Sequence, residues 1–202
     1  LSLYLEKNYG LTSDRVIAKA IDIVANDNSF HPIIDLLESL KWDGRPRIAG
    51  MLTHFFGAED PEYSGEVMKM HMLAAISRLY EPGKKYDIML CLVGGQGTGK
   101  STFFKYLAIK DEWFTDDVKR LDDKKVYEYL QGHWIVEMSE MNAVANAKSI
   151  EETKSFLSRQ KDTYRIPYER RAEDRYRQCV FCGTSNDPVS YTHLTLPTNS
   201  RV

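Results

Sequence analysis

The chain has 202 residues, of which 43% are hydrophobic and 28% charged, with 27 Lys plus Arg against 29 Asp plus Glu and a net charge of −2. That balance excludes collagen-like, mucin-like and wholly disordered chains, and also a general nucleic-acid coat protein, which would be strongly basic. Contact with nucleic acid must then come from a local patch.

No apolar run approaches the ~20 residues that span a bilayer, so no membrane association is expected. Three cysteines are too few and odd in number for a disulfide framework, which makes the cytoplasm the expected compartment. The first residue is Leu1 rather than Met, which reads as a fragment.

Residues 1–40 read as helical. Val16, Ile17, Ala20, Ile21 and Val24 recur at steps of three and four, one apolar stripe of a helix. Ser13 or Asp14 can cap its start. Pro32 suits the first turn of a second helix bearing Ile33, Ile34, Leu36, Leu37 and Leu40. The turn residues Trp42-Asp43-Gly44-Arg45-Pro46 break the pattern. Helices are predicted around Ile48 to Phe56 and from Ser64 to Tyr80, and Pro82-Gly83 ends the second. An N-terminal helical region over 1–82 is therefore expected.

After Pro82 the character changes. The run from Ile88 to Val93 is continuous, apolar and of strand length, as suits a strand buried on both faces. A helix is predicted from about Lys100 to Leu107, a short strand over Trp113 to Thr115, and an amphipathic segment over Asp122 to Leu130. A second buried strand follows at Trp134-Ile135-Val136, a helix over Ile150 to Ser158, and a third strand over Gln178 to Thr184. Tyr164 to Arg177 is charged and aromatic, and Pro167 forbids a continuous helix there. Strands alternating with helices over 83–188 predict an α/β fold, a mostly parallel sheet flanked by helices, preceded by a small all-helical region; the motif Gly94-Gly95-Gln96-Gly97-Thr98-Gly99-Lys100-Ser101 makes this a P-loop NTPase core.

The strongest motif is Gly94-Gly95-Gln96-Gly97-Thr98-Gly99-Lys100-Ser101, a full match to G-x-x-x-x-G-K-[ST], followed by Thr102. Glycines let backbone N–H groups wrap an anion without Cβ collisions. The helix that follows aims its positive end at the phosphates. Lys100 is expected to reach the β and γ phosphates, and the Ser101 hydroxyl to bind Mg²⁺. Gly94 through Thr102 is thus the expected ATP–Mg²⁺ cradle.

Such a site needs a carboxylate at the end of a neighbouring strand. His133-Trp134-Ile135-Val136-Glu137-Met138-Ser139-Glu140 supplies two. Glu137 is assigned to the metal shell and Glu140 to water activation, the alternative being that Glu140 caps the next turn. The third strand ends in Thr184-Ser185-Asn186, and Asn186 is the candidate for sensing the γ-phosphate and holding the water. Cys179 and Cys182 form a C-x-x-C, but positions three apart on a strand point to opposite faces. Buried structural thiols are expected rather than a redox or zinc site.

From Lys154 to Arg177 the chain carries Lys154, Arg159, Lys161, Arg165, Arg170, Arg171, Arg175 and Arg177 against Asp162, Glu169, Glu173 and Asp174, with Tyr164, Tyr168 and Tyr176 interleaved. Basic groups on phosphates with aromatics for base stacking grip single strands without sequence preference. An ordinary solvated face with local ion pairs is the plain alternative. An arginine that reaches a neighbouring subunit's γ-phosphate is another.

The phosphate loop, Trp134 to Glu140, and Lys154 through Arg171 leading into Phe181 to Asn186 resemble the virulence-associated protein E family, related to superfamily 3 helicases and to the helicase part of phage and plasmid primases. Leu40 to Ile48 and the pattern from Lys154 through Ser158-Arg159, Asp162, Tyr164-Arg165 and Pro167-Tyr168 also resemble it. The resemblance covers roughly residues 20–188. It implies an ATPase acting as a homo-oligomeric ring on single-stranded DNA in mobile-element replication. It further implies that Lys154, Arg159, Arg165, Arg170 and Arg171 belong to a DNA-contacting hairpin segment.

Residues 189–202 match none of the family's continuation and read as an appended string, so a truncated, incomplete core is expected. Two other readings remain: a nucleotide-gated binding protein with little or no turnover, and a small-molecule kinase, which the Trp42 to Ile48 segment and the Glu137/Glu140 pair fit poorly.

Overall fold

Four short runs pair into one parallel sheet. The computed structural model describes residues 2–118, 126–139, 147–164 and 173–186. Along them run β1 (Leu90–Val93), β2 (Phe114–Thr115), β3 (Ile135–Ser139), β4 (Lys161–Tyr164), β5 (Glu173–Tyr176) and β6 (Val180–Ser185). The sheet order is β1-β6-β3-β2, every neighbour parallel. The last strand among the described residues is therefore inserted between β1 and β3.

Every residue of β6 is buried, as are Ile135, Val136, Glu137 and Met138 of β3. These are the continuous runs that a sheet covered on both faces requires. On one face Val136, Met138 and Phe181 pack with Val126, Leu130, Phe156 and Leu157. A glycine, Gly183, sits in the middle of β6 because the Cys91 thiol and the Met89 methyl fill its place: a Cβ would lie 3.2 Å from each.

The chain divides after Asp43 into two compact units. The first holds α1 (Ser2–Tyr9), α2 (Asp14–Asp27) and α3 (Pro32–Ser39). Ser13 is the N-cap of α2 but makes no side-chain cap bond. The predicted stripe on α2 is only partly covered: Ile17 is buried, whereas Val16, Ile21 and Val24 are exposed. Periodicity dictates that a helix forms, not that its whole stripe finds a cover. Pro32 opens α3 as expected, and the His31 ring nitrogen Nδ1 accepts a bond from the Ile34 N–H at 3.4 Å.

The second unit holds α4 (Met51–Phe56), α5 (Pro61–Tyr80), α6 (Lys100–Leu107), α7 (Val126–Tyr129) and α8 (Ala147–Leu157) together with the sheet. Helix α5 begins three residues before the predicted Ser64. Pro61 occupies its first turn, and the Asp60 carboxylate accepts from the Tyr63 N–H at 2.9 Å, a capping arrangement worth about 1 kcal/mol. It packs against β1 and β6.

Polar anchors fix α5 there. The Trp134 indole donates to the Ala75 carbonyl at 3.0 Å. Arg78, 1% exposed, donates to the carbonyls of Cys179, Lys84 and Tyr86 at 2.8, 2.9 and 3.2 Å. One side chain thereby ties the helix end to the approaches of both β1 and β6.

Strands β4 and β5 form an antiparallel hairpin, from Lys161 opposite Tyr176 to Tyr164 opposite Glu173. Apolar periodicity predicts neither strand, because the buried residue of β4 is Asp162. Its two oxygens accept from Arg177 at 2.6 and 2.8 Å. The Arg177 guanidinium also donates to the Phe156 carbonyl at 2.5 Å and lies 4.4 and 5.3 Å from the Phe156 and Phe181 ring centroids.

Arg177 belongs to the core, so it leaves the set of basic groups available to a ligand. Gly83 closes the hairpin's base: its N–H donates to the Arg177 carbonyl at 2.9 Å. At φ 84 it passes so close to Tyr176 that a Cβ would stand 2.7 Å from the ring. Cys179 and Cys182 are free and buried, and burial pushes the Cys179 thiol up to about 11, as structural thiols require.

Removing one partner of a buried ion pair leaves an uncompensated charge. Asp162→Ala is expected to lower unfolding free energy by about 3–5 kcal/mol, read from the urea midpoint at constant m-value. A second expectation concerns His71, fully buried on α5 with neither ring nitrogen partnered among the described residues. Burial lowers its pKa from 6.5 to about 4. The unfolded chain takes up a proton below pH 6.5 that the folded chain refuses until about pH 4. Stability therefore falls as pH drops through 6.5, by about 2 kcal/mol at pH 5 from this group. Urea titrations at pH 7.5 and 5 should show that loss, and a His71→Leu variant should lack it.

Candidate functional site

The site lies where three strands end side by side. Strand β1 stops at Val93, and the glycine-rich turn of residues 94–99 leads into α6. Gly97 and Gly99 take φ of 79 and 85, the left-handed region where a Cβ costs about 1–2 kcal/mol. The Gly94 N–H donates to the Ser185 carbonyl at 3.1 Å, which pins the turn to the end of β6. Gly99 is the N-cap residue of α6, so Lys100, Ser101 and Thr102 form its first turn. The backbone N–H groups there have no intrahelical acceptors and carry the positive end of the helix dipole. Gly95, Gln96, Gly97 and Thr98 are exposed.

Lys100 is nearly buried, 8% exposed. Its ammonium donates to the carbonyls of Gly94 and Gly95, both at 2.8 Å, and to Asn186 Oδ1 at 3.2 Å, with Thr98 Oγ1 at 3.4 Å. The lysine is folded over its own turn. It reaches Asn186, the residue just past β6 and 86 residues away in sequence.

Glu137 is 0% exposed on β3. Its Oε1 accepts two hydroxyl bonds: from Ser101 at 2.7 Å and from Thr184 at 2.6 Å. Its Oε2 is buried and has no hydrogen-bond partner among the described residues. An unshared buried acceptor of this kind costs about 1–3 kcal/mol, more when charged. The loop, the acid strand and the Asn strand, separate in sequence, thus meet in one hydrogen-bonded set: Lys100, Ser101, Glu137, Thr184 and Asn186. No group of three or more His, Cys, Asp or Glu side chains gathers as a metal cage among the described residues.

Of the expected nucleic-acid residues, Lys154 and Arg159 are described and stand outside this hydrogen-bonded set. Lys154 on α8 is paired with Glu151 at 3.4 Å. Arg159 donates to the Tyr127 hydroxyl at 2.8 Å, and the Tyr127 ring stacks on that of Tyr164, centroids 5.9 Å apart. Lys161 is paired across the hairpin with Asp174, and Arg175 with Glu173 at 3.2 Å. Glu140, Arg165, Arg170, Arg171 and the 189–202 tail lie outside the described residues.

Sequence reasoning assigned no role to Thr184. The available signal was its place in the polar run Thr184-Ser185-Asn186 that ends the strand. No helix among the described residues is long and apolar enough to cross a membrane.

The virulence-associated protein E-like domain matches residues 37–201. The match starts later than the sequence resemblance read from residue 20, and runs past Pro188, where that resemblance was read to end. Among solved structures, the chain is similar to the apo structure of the NrS-1 C terminal region, with 19% identity, a TM-score of 0.48 and 70% of this chain covered. It is similar also to an A form apo structure of that region, with 20% identity, a TM-score of 0.48 and again 70% coverage. The chain spans 34% and 33% of the length of those two. No curated protein matches it. With most of its length matched, the glycine-rich turn and the ends of β3 and β6 included, the chain belongs to the virulence-associated protein E-like domain family.

Proposed function

We propose that this chain binds and hydrolyses ATP with Mg²⁺, as the superfamily 3 helicase-like motor of a replication protein of a phage or other mobile element, and acts on single-stranded DNA. The observation that carries the reading is the direct bond from Ser101 to the buried Glu137, 36 residues apart, beside a lysine already facing the turn. A chance glycine-rich turn has no reason to be joined to a buried acid in the middle of β3, two strands away in the sheet.

The donor set fits Mg²⁺. Magnesium is commonly held by one or two carboxylates, waters and the substrate's own phosphates rather than by an all-protein cage. Glu137 Oε2 is the acceptor left open, directly or through water, and Ser101 supplies a hydroxyl oxygen. Bound there, Mg²⁺ would neutralise charge on the phosphate oxygens.

The chain's own residues do the rest. Lys100 exchanges the Gly94 and Gly95 carbonyls for β- and γ-phosphate oxygens, which relieves its sharing of donors among four acceptors. The N–H groups of the turn and of the first turn of α6 hold the remaining phosphate charge. Asn186, released from Lys100, is left to orient the attacking water, with Glu140 assigned to activate it.

The β4–β5 hairpin holds the ends of the segment carrying Arg165, Arg170 and Arg171. This reading gives those arginines, with Lys154 and Arg159, to the DNA phosphates. The family resemblance supports a homo-oligomeric ring as part of this reading.

The test is ATP hydrolysis with and without single-stranded DNA. Turnover stimulated by DNA and reduced at least 10²-fold in Lys100→Ala is the expected result. ATP binding that depends on Lys100 without turnover would replace the motor by a nucleotide-gated binding protein. Joint replacement of Arg165, Arg170 and Arg171 by Ala should abolish DNA stimulation. It should also lower the slope of log affinity against log salt by about 2, at ~0.7 per phosphate contact on single strands. An unchanged slope would remove the DNA role of these residues.

A further inference from the structure

Both hydrogen bonds to Glu137 fall on the same oxygen. Ser101 and Thr184 donate to Oε1 at 2.7 and 2.6 Å, and Oε2 is left with no partner among the described residues. Hydroxyl-to-carboxylate bonds this short are among the stronger ones a protein makes. Two of them from different elements fix which oxygen faces inward and stop the carboxylate from rotating about its last bond.

The two donors are not equivalent. Ser101 is exposed and sits at the start of α6 beside the turn that nucleotide must enter and leave. Thr184 is buried on β6, a strand flanked on both sides within the sheet. Its β-branched side chain has few χ1 choices.

We propose that Thr184 is a positioning residue for the divalent cation: its hydroxyl holds Glu137 Oε1 so that Oε2 stays aimed at the cation while Ser101 turns its oxygen to it. The proposal rests on the nucleotide-site reading above and extends it to a residue outside the glycine-lysine-serine motif. Thr184 near the end of β6 sets the carboxylate, and Asn186 just past that end meets Lys100. Groups that orient a metal's carboxylate ligand typically change metal affinity 10–100-fold when removed.

The experiment titrates Mn²⁺ against the protein with ADP, bound Mn²⁺ being read by electron paramagnetic resonance, and separately measures ADP affinity in EDTA. Thr184→Val is expected to raise the Mn²⁺ dissociation constant about tenfold and to leave ADP affinity in EDTA unchanged. Thr184→Ser, which keeps the hydroxyl, should stay within about twofold of the parent. Thr184→Ala serves if the valine variant does not fold, with the same shift expected.

A parent-like Mn²⁺ constant in the hydroxyl-free variants would overturn the proposal. So would a loss of ADP affinity in EDTA as large as the loss for Mn²⁺, which would mark a merely structural role. Failure of the parent protein to bind ADP at all would instead overturn the nucleotide-site reading beneath it.

Discussion

The insertion of β6 between β1 and β3 is the constraint on which the site depends. Strands paired in sequence order would put β2 between the glycine-rich turn and the acid strand. Here β6 separates them, and its end bonds to both neighbours: Ser185 to the turn through Gly94, Thr184 to the acid through Glu137. A strand buried on both faces tolerates a polar side chain only where a partner awaits it. The polar end of β6 is therefore legible as a joint between two neighbours, each contributing a different part of the chemistry. Side-chain reach then does what chain order does not: Lys100 crosses to Asn186 and Ser101 crosses to Glu137.

Buried charge organises the remainder of the second unit. Arg78 ends α5 by satisfying three carbonyls, and Arg177 ends the hairpin by satisfying Asp162 and one carbonyl between two aromatic rings. Both guanidiniums exploit a planar fork with several donors at fixed angles, which lysine cannot reproduce. The two anchors bracket the segment leading into β6: Arg177 precedes it directly, and Arg78 reaches the Cys179 carbonyl. Burial of this kind adds little net free energy over an apolar replacement, but it penalises any register in which the pair is broken. The position of β6, and with it of Thr184 and Asn186, is specified by these pairs as well as by apolar packing.

The site's parts were readable in different degrees. The turn from Gly94 to Ser101 was legible because its requirements are local: positive φ at Gly97 and Gly99, and a helix start immediately after. Glu137 was legible as an acid at the end of an apolar run. The hairpin strands were not, since Asp162 is the residue β4 buries and a pattern of apolar alternation passes over it. Arg177 looked like one more member of a basic stretch, because a formula of charges does not distinguish a guanidinium between Phe156 and Phe181 from one in water. Thr184 looked like a strand residue of no special kind, because its role consists of an oxygen on another strand.

By itself the sequence determined which elements form and what chemistry each can carry, since helix periodicity, strand length, glycine turns and caps depend on residues within a few positions of one another. Only the tertiary structure decided which oxygen of Glu137 is held and which is left open, which cation is spent inside the core, and which strand lies between the turn and the acid. Those relations join residues 36, 47 and 86 positions apart. At such separations no local propensity acts. The pairing is chosen by the whole sheet, whose burial leaves one arrangement in which most of the polar ends find partners.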